Sequence, residues 1–169
     1  MNKTERTLVL IKPDAIQRSL IGEIVSRFEK KGFKLVAMKM VQLDDEVLKR
    51  WYSEYKDEVF FPKIASYMSW TPIIAMVLEG YNAVALVRRI IGTRRGYEAE
   101  AGSVRGDWGM SGGNNLVHAS DSLESAKRER WRSFLSRKRF MSIRRSPSSS
   151  FTAKKSLTVL LGRWYTYGV

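Results

Sequence analysis

A single histidine and no cysteine occur among the 169 residues. Disulfides, thiolate zinc sites, a cysteine nucleophile and any multi-histidine metal site within one chain are thereby excluded. Nucleophilic work by an imidazole falls to His118, which stands in the run Asn115-Leu116-Val117-His118-Ala119-Ser120-Asp121-Ser122. Ser120 and Asp121 follow it closely, and Glu129 can approach across a strand-to-helix turn. A carboxylate bonded to one ring nitrogen fixes the tautomer that leaves the other nitrogen nucleophilic. Cations come from separate segments: Lys12 after a short apolar run, Arg88 on a helical stretch, Arg105 in a glycine-rich one. Such a dispersed set suits a phosphate chain, because an arginine fork binds phosphate oxygens bidentately and a lysine acts as a point charge. No G-x-x-x-x-G-K-[ST] and no G-x-G-x-x-G after a strand is present, so the usual phosphate loops are not what binds it.

The elements that must hold these groups are legible as periodicity. Thr7 to Ile11 is a short apolar, β-branched run stopped by Pro13, which predicts a buried strand. Ile21, Ile24, Val25 and Phe28 recur at helical spacing, and Gly32 is placed to end that helix. Phe33 to Val41 reads as a strand. Asp44 predicts an N-cap for a helix with Val47, Leu48, Trp51, Tyr52 and Tyr55 on one face. Pro62 to Met68 predicts a short helix, Pro72 to Leu78 a strand, and Asn82 to Ile91 a helix closed by Gly92. Gly92 to Gly113 has no periodicity and reads as a long loop, either functional or disordered. Leu116 to Ala119 is a short strand carrying His118, and Ser122 caps a helix running to Glu129. The alternating order predicts an α/β chain of the α+β kind, with an antiparallel sheet covered by helices on one face.

Charge is unevenly spread. The chain has 30 Lys+Arg against 17 Asp+Glu, a formal net charge of +13 and a pI near 10.2. Residues 130–169 hold ten of those bases and no acid, leaving residues 1–129 with 20 basic and 17 acidic side chains. Two regions are therefore read: a nearly balanced domain over 1–129 and a basic Ser/Arg-rich segment over 130–169. The latter is either a genuine extension able to contact polyanions or the product of a shifted reading frame. No apolar stretch approaches a membrane span, and Thr7 to Ile11 is too short for a signal-peptide core, so a cytoplasmic protein without membrane contact is expected.

Taken together, Asn115 to Ser122 resembles the active-site signature of nucleoside diphosphate kinases, N-x-x-H-[GA]-S-D-[SA]. The similarity extends to Arg105-Gly106-Asp107, Phe60-Phe61-Pro62, Gly22-Glu23-Ile24 and the stretch from Glu5-Arg6-Thr7 to Lys12-Pro13-Asp14, covering about residues 4 to 129 without a gap. The resemblance implies a ferredoxin-like fold, a four-stranded antiparallel sheet with covering helices, assembled as a homo-oligomer, tetramer or hexamer. It implies ping-pong transfer of the γ-phosphate of a nucleoside triphosphate to a nucleoside diphosphate with Mg²⁺. His118 would carry the phosphate on Nδ1, with Glu129 holding its other nitrogen and Ser120 supporting it. Lys12, Arg88 and Arg105 would neutralise the phosphates, with Tyr52 and Lys12 near the transferred group. Asn115 and Lys12 would bond the sugar hydroxyl, Phe60 would stack on the base beside Ile64, and Asp121 would hold magnesium-bound water. Stacking reads no base edge, so broad nucleotide specificity is implied.

Two departures from the family pattern stand out. After Gly92 the family carries Thr-Asn-Pro and Pro-Gly-Thr, whereas this chain reads Thr93-Arg94-Arg95-Gly96 and Ala101-Gly102-Ser103. The phosphate-contacting threonine is displaced to Thr93 or replaced by Arg94. The two absent prolines predict a less fixed loop, with weaker nucleotide affinity or altered subunit packing. Beyond Glu129, the family's apolar helix and acidic Lys-Pro-Glu-Glu stretch give way to Arg130-Trp131-Arg132-Ser133-Phe134.

Overall fold

The computed structural model describes residues 4–51 and 57–128. Four strands, β1 (Thr4–Ile11), β2 (Lys34–Val41), β3 (Ile73–Tyr81) and β4 (Val117–Ala119), form one antiparallel sheet in the order β2-β3-β1-β4. Between them run α1 (Pro13–Gln17), α2 (Ile21–Lys30), α3 (Asp45–Trp51), α4 (Phe61–Ser69) and α5 (Ala83–Ile91). A 3-10 turn (Gly96–Glu98) and α6 (Val104–Trp108) then precede β4, and α7 (Leu123–Arg128) follows it. Among the described residues no helix is long and apolar enough to cross a membrane.

The central pair explains the continuous apolar runs. β1 and β3 have neighbours on both sides, and Leu8 to Ile11 and Ile73 to Leu78 are buried without a break. Alternate side chains then feed two cores. Val9, Ile11, Ile74, Met76 and Leu78 pack with Ile24 and Phe28 of α2 and Val87 and Ile91 of α5. Leu8, Leu10, Ile73, Ala75 and Val77 pack with Leu48 of α3 and Phe61 and Met68 of α4. Both faces of the sheet are therefore covered, which corrects the expectation of a one-faced sheet: the helices between β2 and β3 return over the opposite side. Strands buried on two faces lose the polar–apolar alternation by which a one-sided sheet is known.

Local signals act where the sequence predicts them. The Val47 amide donates to Asp44 Oδ1 at 2.8 Å, and the Ser125 amide to Ser122 Oγ at 3.0 Å, so both residues cap helices. Pro13 does more than end β1: it occupies the first turn of α1, where a missing N–H costs nothing.

The segment from Gly92 to Gly113 is not the structureless loop its lack of periodicity predicts. Besides its 3-10 turn and α6, Ser103 Oγ accepts from the Gly106 amide at 3.0 Å, and Asp107 accepts from the Gly102 amide at 2.7 Å. Arg27 of α2 ion-pairs with Asp107, donates to the Gly102 carbonyl at 2.6 Å and lies 4.1 Å from the Trp108 ring centroid. Side-chain to main-chain bonds do here what prolines do elsewhere. Gly92, at φ +83°, closes α5, and a Cβ there would stand 2.5 Å from Ser103 Oγ.

Candidate functional site

β1 delivers Lys12 one residue past its end, between the strand and α1. Its ammonium donates to Asn115 Oδ1 at 2.8 Å and to the Gly113 carbonyl at 3.0 Å, and lies 5.2 Å from the Tyr67 ring centroid. Burial pushes its pKa down to about 8; Asp14 opposes that shift, while Arg105 and Arg94 add to it. Asp14 itself accepts from the Tyr67 hydroxyl at 2.5 Å and from the Leu116 amide at 3.0 Å.

Arg105 on α6 is only 4% exposed. Its guanidinium donates to four main-chain carbonyls: Asn115 at 3.2 Å, Gly92 at 2.9 Å, Thr93 at 3.2 Å and Val117 at 2.7 Å. One arginine thus staples the end of α5 to the entrance of β4. Burial, with Arg88 and Arg94 nearby, brings its pKa down to about 10. Asn115, equally buried, accepts from Lys12 and donates through Nδ2 to the Arg94 carbonyl at 2.8 Å and the Gly112 carbonyl at 3.2 Å. Leu116 between them is fully buried at φ +71°, a left-handed conformation costly for a side chain of that shape.

His118 is the middle residue of β4 and pairs with Leu10, while Val117 and Ala119 pair with Ile11 and Val9. Residues directly opposite in an antiparallel pair share a face. The imidazole therefore projects on the Leu8/Leu10 side, the side covered by α3 and α4, and its flanking residues anchor the strand in the other core. Ser120 is buried, its hydroxyl accepting from the Leu8 amide at 3.3 Å. Asp121 is held below the usual carboxylate range by the Ser125 hydroxyl, then the Ser122 hydroxyl and its own amide, with Arg88 adding a favourable charge. Arg88 is exposed on α5, one of its nitrogens 3.5 Å from the Ala119 carbonyl.

Phe60 precedes α4 and is 46% exposed, and Ile64 lies one turn on, half-buried against the second core. The sequence-predicted residues Lys12, Arg88, Arg105, Asn115, His118, Ser120 and Asp121 thus gather around the junction of β1, β4 and α5. Ile64 sits on α4, over the face that His118 uses, and Phe60 immediately precedes that helix. Tyr52 and Glu129 lie outside the described residues, as does the segment 130–169. Three participants escaped sequence reasoning or were only half seen. Asp14 stands in the sequence only as part of the Lys12-Pro13-Asp14 motif, although a carboxylate two residues from a lysine is a visible signal. Tyr67 carried none, being one more aromatic on an amphipathic helix. Arg94 is visible in the sequence as a replacement, whereas its proximity to both Lys12 and Arg105 arises only in the fold.

The arrangement offers a histidine fixed by a strand beside four cations on four segments, a set that can bind a phosphate chain and attack it. The model of the nucleoside diphosphate kinase family matches residues 5–139. The nucleoside diphosphate kinase of Staphylococcus epidermidis is 52% identical over 125 residues, 74% of this chain and 84% of that protein. A nucleoside diphosphate kinase family protein from Babesia bovis superposes with a TM-score of 0.78 at 39% identity, covering 84% of this chain and 95% of that one. The halophilic nucleoside diphosphate kinase of Halobacterium salinarum, solved in complex with CDP, gives a TM-score of 0.77 at 38% identity, covering 85% and 95%.

Proposed function

This chain belongs to the nucleoside diphosphate kinase family, and we propose that His118 is its phosphocarrier. The enzyme moves the γ-phosphate of a nucleoside triphosphate to a nucleoside diphosphate. In the first half-reaction the lone pair on His118 Nδ1 attacks the γ-phosphorus in line. The P–N bond forms as the P–O bond to the β-phosphate breaks, and the electron pair leaves with the nucleoside diphosphate. The second half-reaction reverses these changes with a different diphosphate, so one site serves both substrates. The supporting observation is the register of β4, which presents His118 on the α4 side while both its neighbours are locked in the opposite core.

The cations divide their labour. Lys12 and Asn115, bonded to each other, meet the phosphates and the sugar hydroxyl together. Arg105 contributes fixed positive potential from a guanidinium already satisfied by carbonyls, while Arg88 and Arg94 are exposed and can close on phosphate oxygens. Preorganised charge of this kind lowers the barrier because it needs no rearrangement as charge develops. Ser120 supports the imidazole and Phe60 with Ile64 stacks against the base, while the family resemblance assigns Glu129 to the other ring nitrogen and Tyr52 to the transferred group.

The family's chemistry uses a divalent cation. The described residues contain no group of three or more His, Asp or Glu that could cage one. That donor set fits Mg²⁺, which keeps much of its water and binds chiefly through substrate phosphates. It would neutralise charge on them, and Asp121, kept ionised by Ser125 and Ser122, would hold its water. Residues 1–129 form the catalytic domain and 130–169 an appended basic segment available to polyanions; the enzyme acts in the cytoplasm as a homo-oligomer, tetramer or hexamer.

The test is direct. Mixed with γ-labelled ATP and Mg²⁺, the wild-type chain acquires label that is lost in acid, returns it to added diphosphate, and does neither as His118→Asn. Label that never becomes acid-labile on the wild-type protein rules out the carrier.

A further inference from the structure

Lys12 and Asn115 stand 103 residues apart and meet at 2.8 Å. Nothing within that pair explains why it forms. Asn115 leads into Leu116, whose left-handed backbone is intrinsically unfavourable, and Lys12 is a half-buried ammonium near Arg105 and Arg94. Strain of that kind persists only where surrounding groups enforce it. Two of the groups around this junction are arginines, so the charge balance opposes the geometry as well.

Asp14 answers both difficulties. It sits in the first turn of α1, two residues beyond Lys12, and spends both carboxylate oxygens inside the site. Oδ2 accepts from the Leu116 amide at 3.0 Å, while the Lys12 amide donates to the Leu116 carbonyl at 2.8 Å, so the strained peptide is held at both ends by adjacent parts of one chain segment. Oδ1 accepts from the Tyr67 hydroxyl at 2.5 Å, and the Tyr67 ring lies 5.2 Å from the Lys12 ammonium. Charge-assisted bonds to a carboxylate are about twice as strong as neutral ones. A cation over an aromatic face gains further.

We propose that Asp14 is a positioning residue of the nucleotide site: one oxygen pins Tyr67 against the Lys12 ammonium, and the other holds Leu116 in the turn that brings Asn115 to Lys12 and leads the chain into His118. Its negative charge has a second consequence. Lys12 is surrounded by burial, Arg105 and Arg94, all favouring the neutral amine, and Asp14 is the group that opposes them. Without it the lysine gives up its proton at lower pH and no longer presents a charge to phosphate. This inference rests on the nucleotide reading above, so its experiment measures binding and needs no turnover.

ADP is titrated calorimetrically into the full chain from about pH 7 to 9.5, and the contribution of its own last phosphate ionisation, common to every variant, is subtracted using Lys12→Arg. Wild-type affinity is steady at the acid end and falls as Lys12 deprotonates near pH 8. For Asp14→Asn the fall begins about one unit lower, the scale of shift that one nearby charge produces. Tyr67→Phe, which breaks one bond but keeps the charge, binds severalfold more weakly with its fall at the wild-type pH. Lys12→Arg shows no fall. Asp14→Glu, which keeps the charge and offsets the oxygens, stays at the wild-type pH with reduced affinity and serves if the asparagine variant does not fold. A fall in Asp14→Asn that coincides with wild type overturns the proposal, as does a pH shift in Asp14→Glu. Loss of acid-labile label from His118 would instead sink the phosphocarrier reading and leave the ADP curves to judge Asp14.

Discussion

Two halves of the site are held by different physics. The half on β1 and β4 is fixed by strand pairing: His118 lies opposite Leu10, with Val117 and Ala119 buried on either side. The half between Gly92 and Leu116 has little sheet to lean on and hangs from side-chain to main-chain bonds made by Arg105, Arg27, Asp14 and Asn115. The contrast teaches that in the first half chemistry and scaffold are separable, because the backbone ladder carries the load and the imidazole is only its passenger. In the second half the polar residues proposed to meet the nucleotide, Arg105 and Asn115, are also part of the scaffold.

Substitutions should expose that difference. The largest separation comes from His118→Ala, with turnover reduced at least about a thousandfold and a melting temperature close to wild type. A large loss of stability there would show that the imidazole supports the strand. Arg105→Ala should behave in the opposite way. Four carbonyls lose their donor, those of Asn115 and Val117 in buried bonds, costing about 3 kcal/mol or more, and urea unfolding should register it together with lost nucleotide binding; a variant as stable as wild type would dissolve the proposed staple. Gly106→Ala comes next. Its Cβ would stand 1.9 Å from the Glu100 carbonyl oxygen and 2.5 Å from its carbon, so the turn before α6 must shift at a cost of about 1–3 kcal/mol. Thermal unfolding checks this, with ADP affinity falling in parallel. The smallest effect belongs to Ser122→Ala, which removes the α7 cap and one hydroxyl on Asp121 for about 1 kcal/mol, visible as a modest drop in melting temperature with ADP affinity retained.

Much of this was legible in the sequence, for reasons that differ by residue. His118 could be singled out because it has no competitor in the chain, and the spacing of Arg105, Asn115 and Asp121 around it carries the family signature. Asp44 and Ser122 were readable as caps because a cap is a relation between residues three apart. Leu8 to Ile11 and Ile73 to Leu78 read as strands, yet the same continuous hydrophobicity concealed that both of their faces are covered. The glycine-rich segment from Gly92 to Gly113 looked loose because its order comes from Arg27, some 75 residues from Gly102, and no local pattern records such a partner.

The sequence by itself determined the alphabet of this site: one imidazole, a set of cations, short apolar strands and the caps and turns between them, all governed by interactions within a few residues. Tertiary structure decided how those groups spend themselves. The strand order β2-β3-β1-β4 puts the end of β1 next to β4, and so brings Lys12 to Asn115, Asp14 to Leu116 and Leu10 to His118. Each of those pairs spans more than a hundred residues, and its energy exists only after the chain has closed.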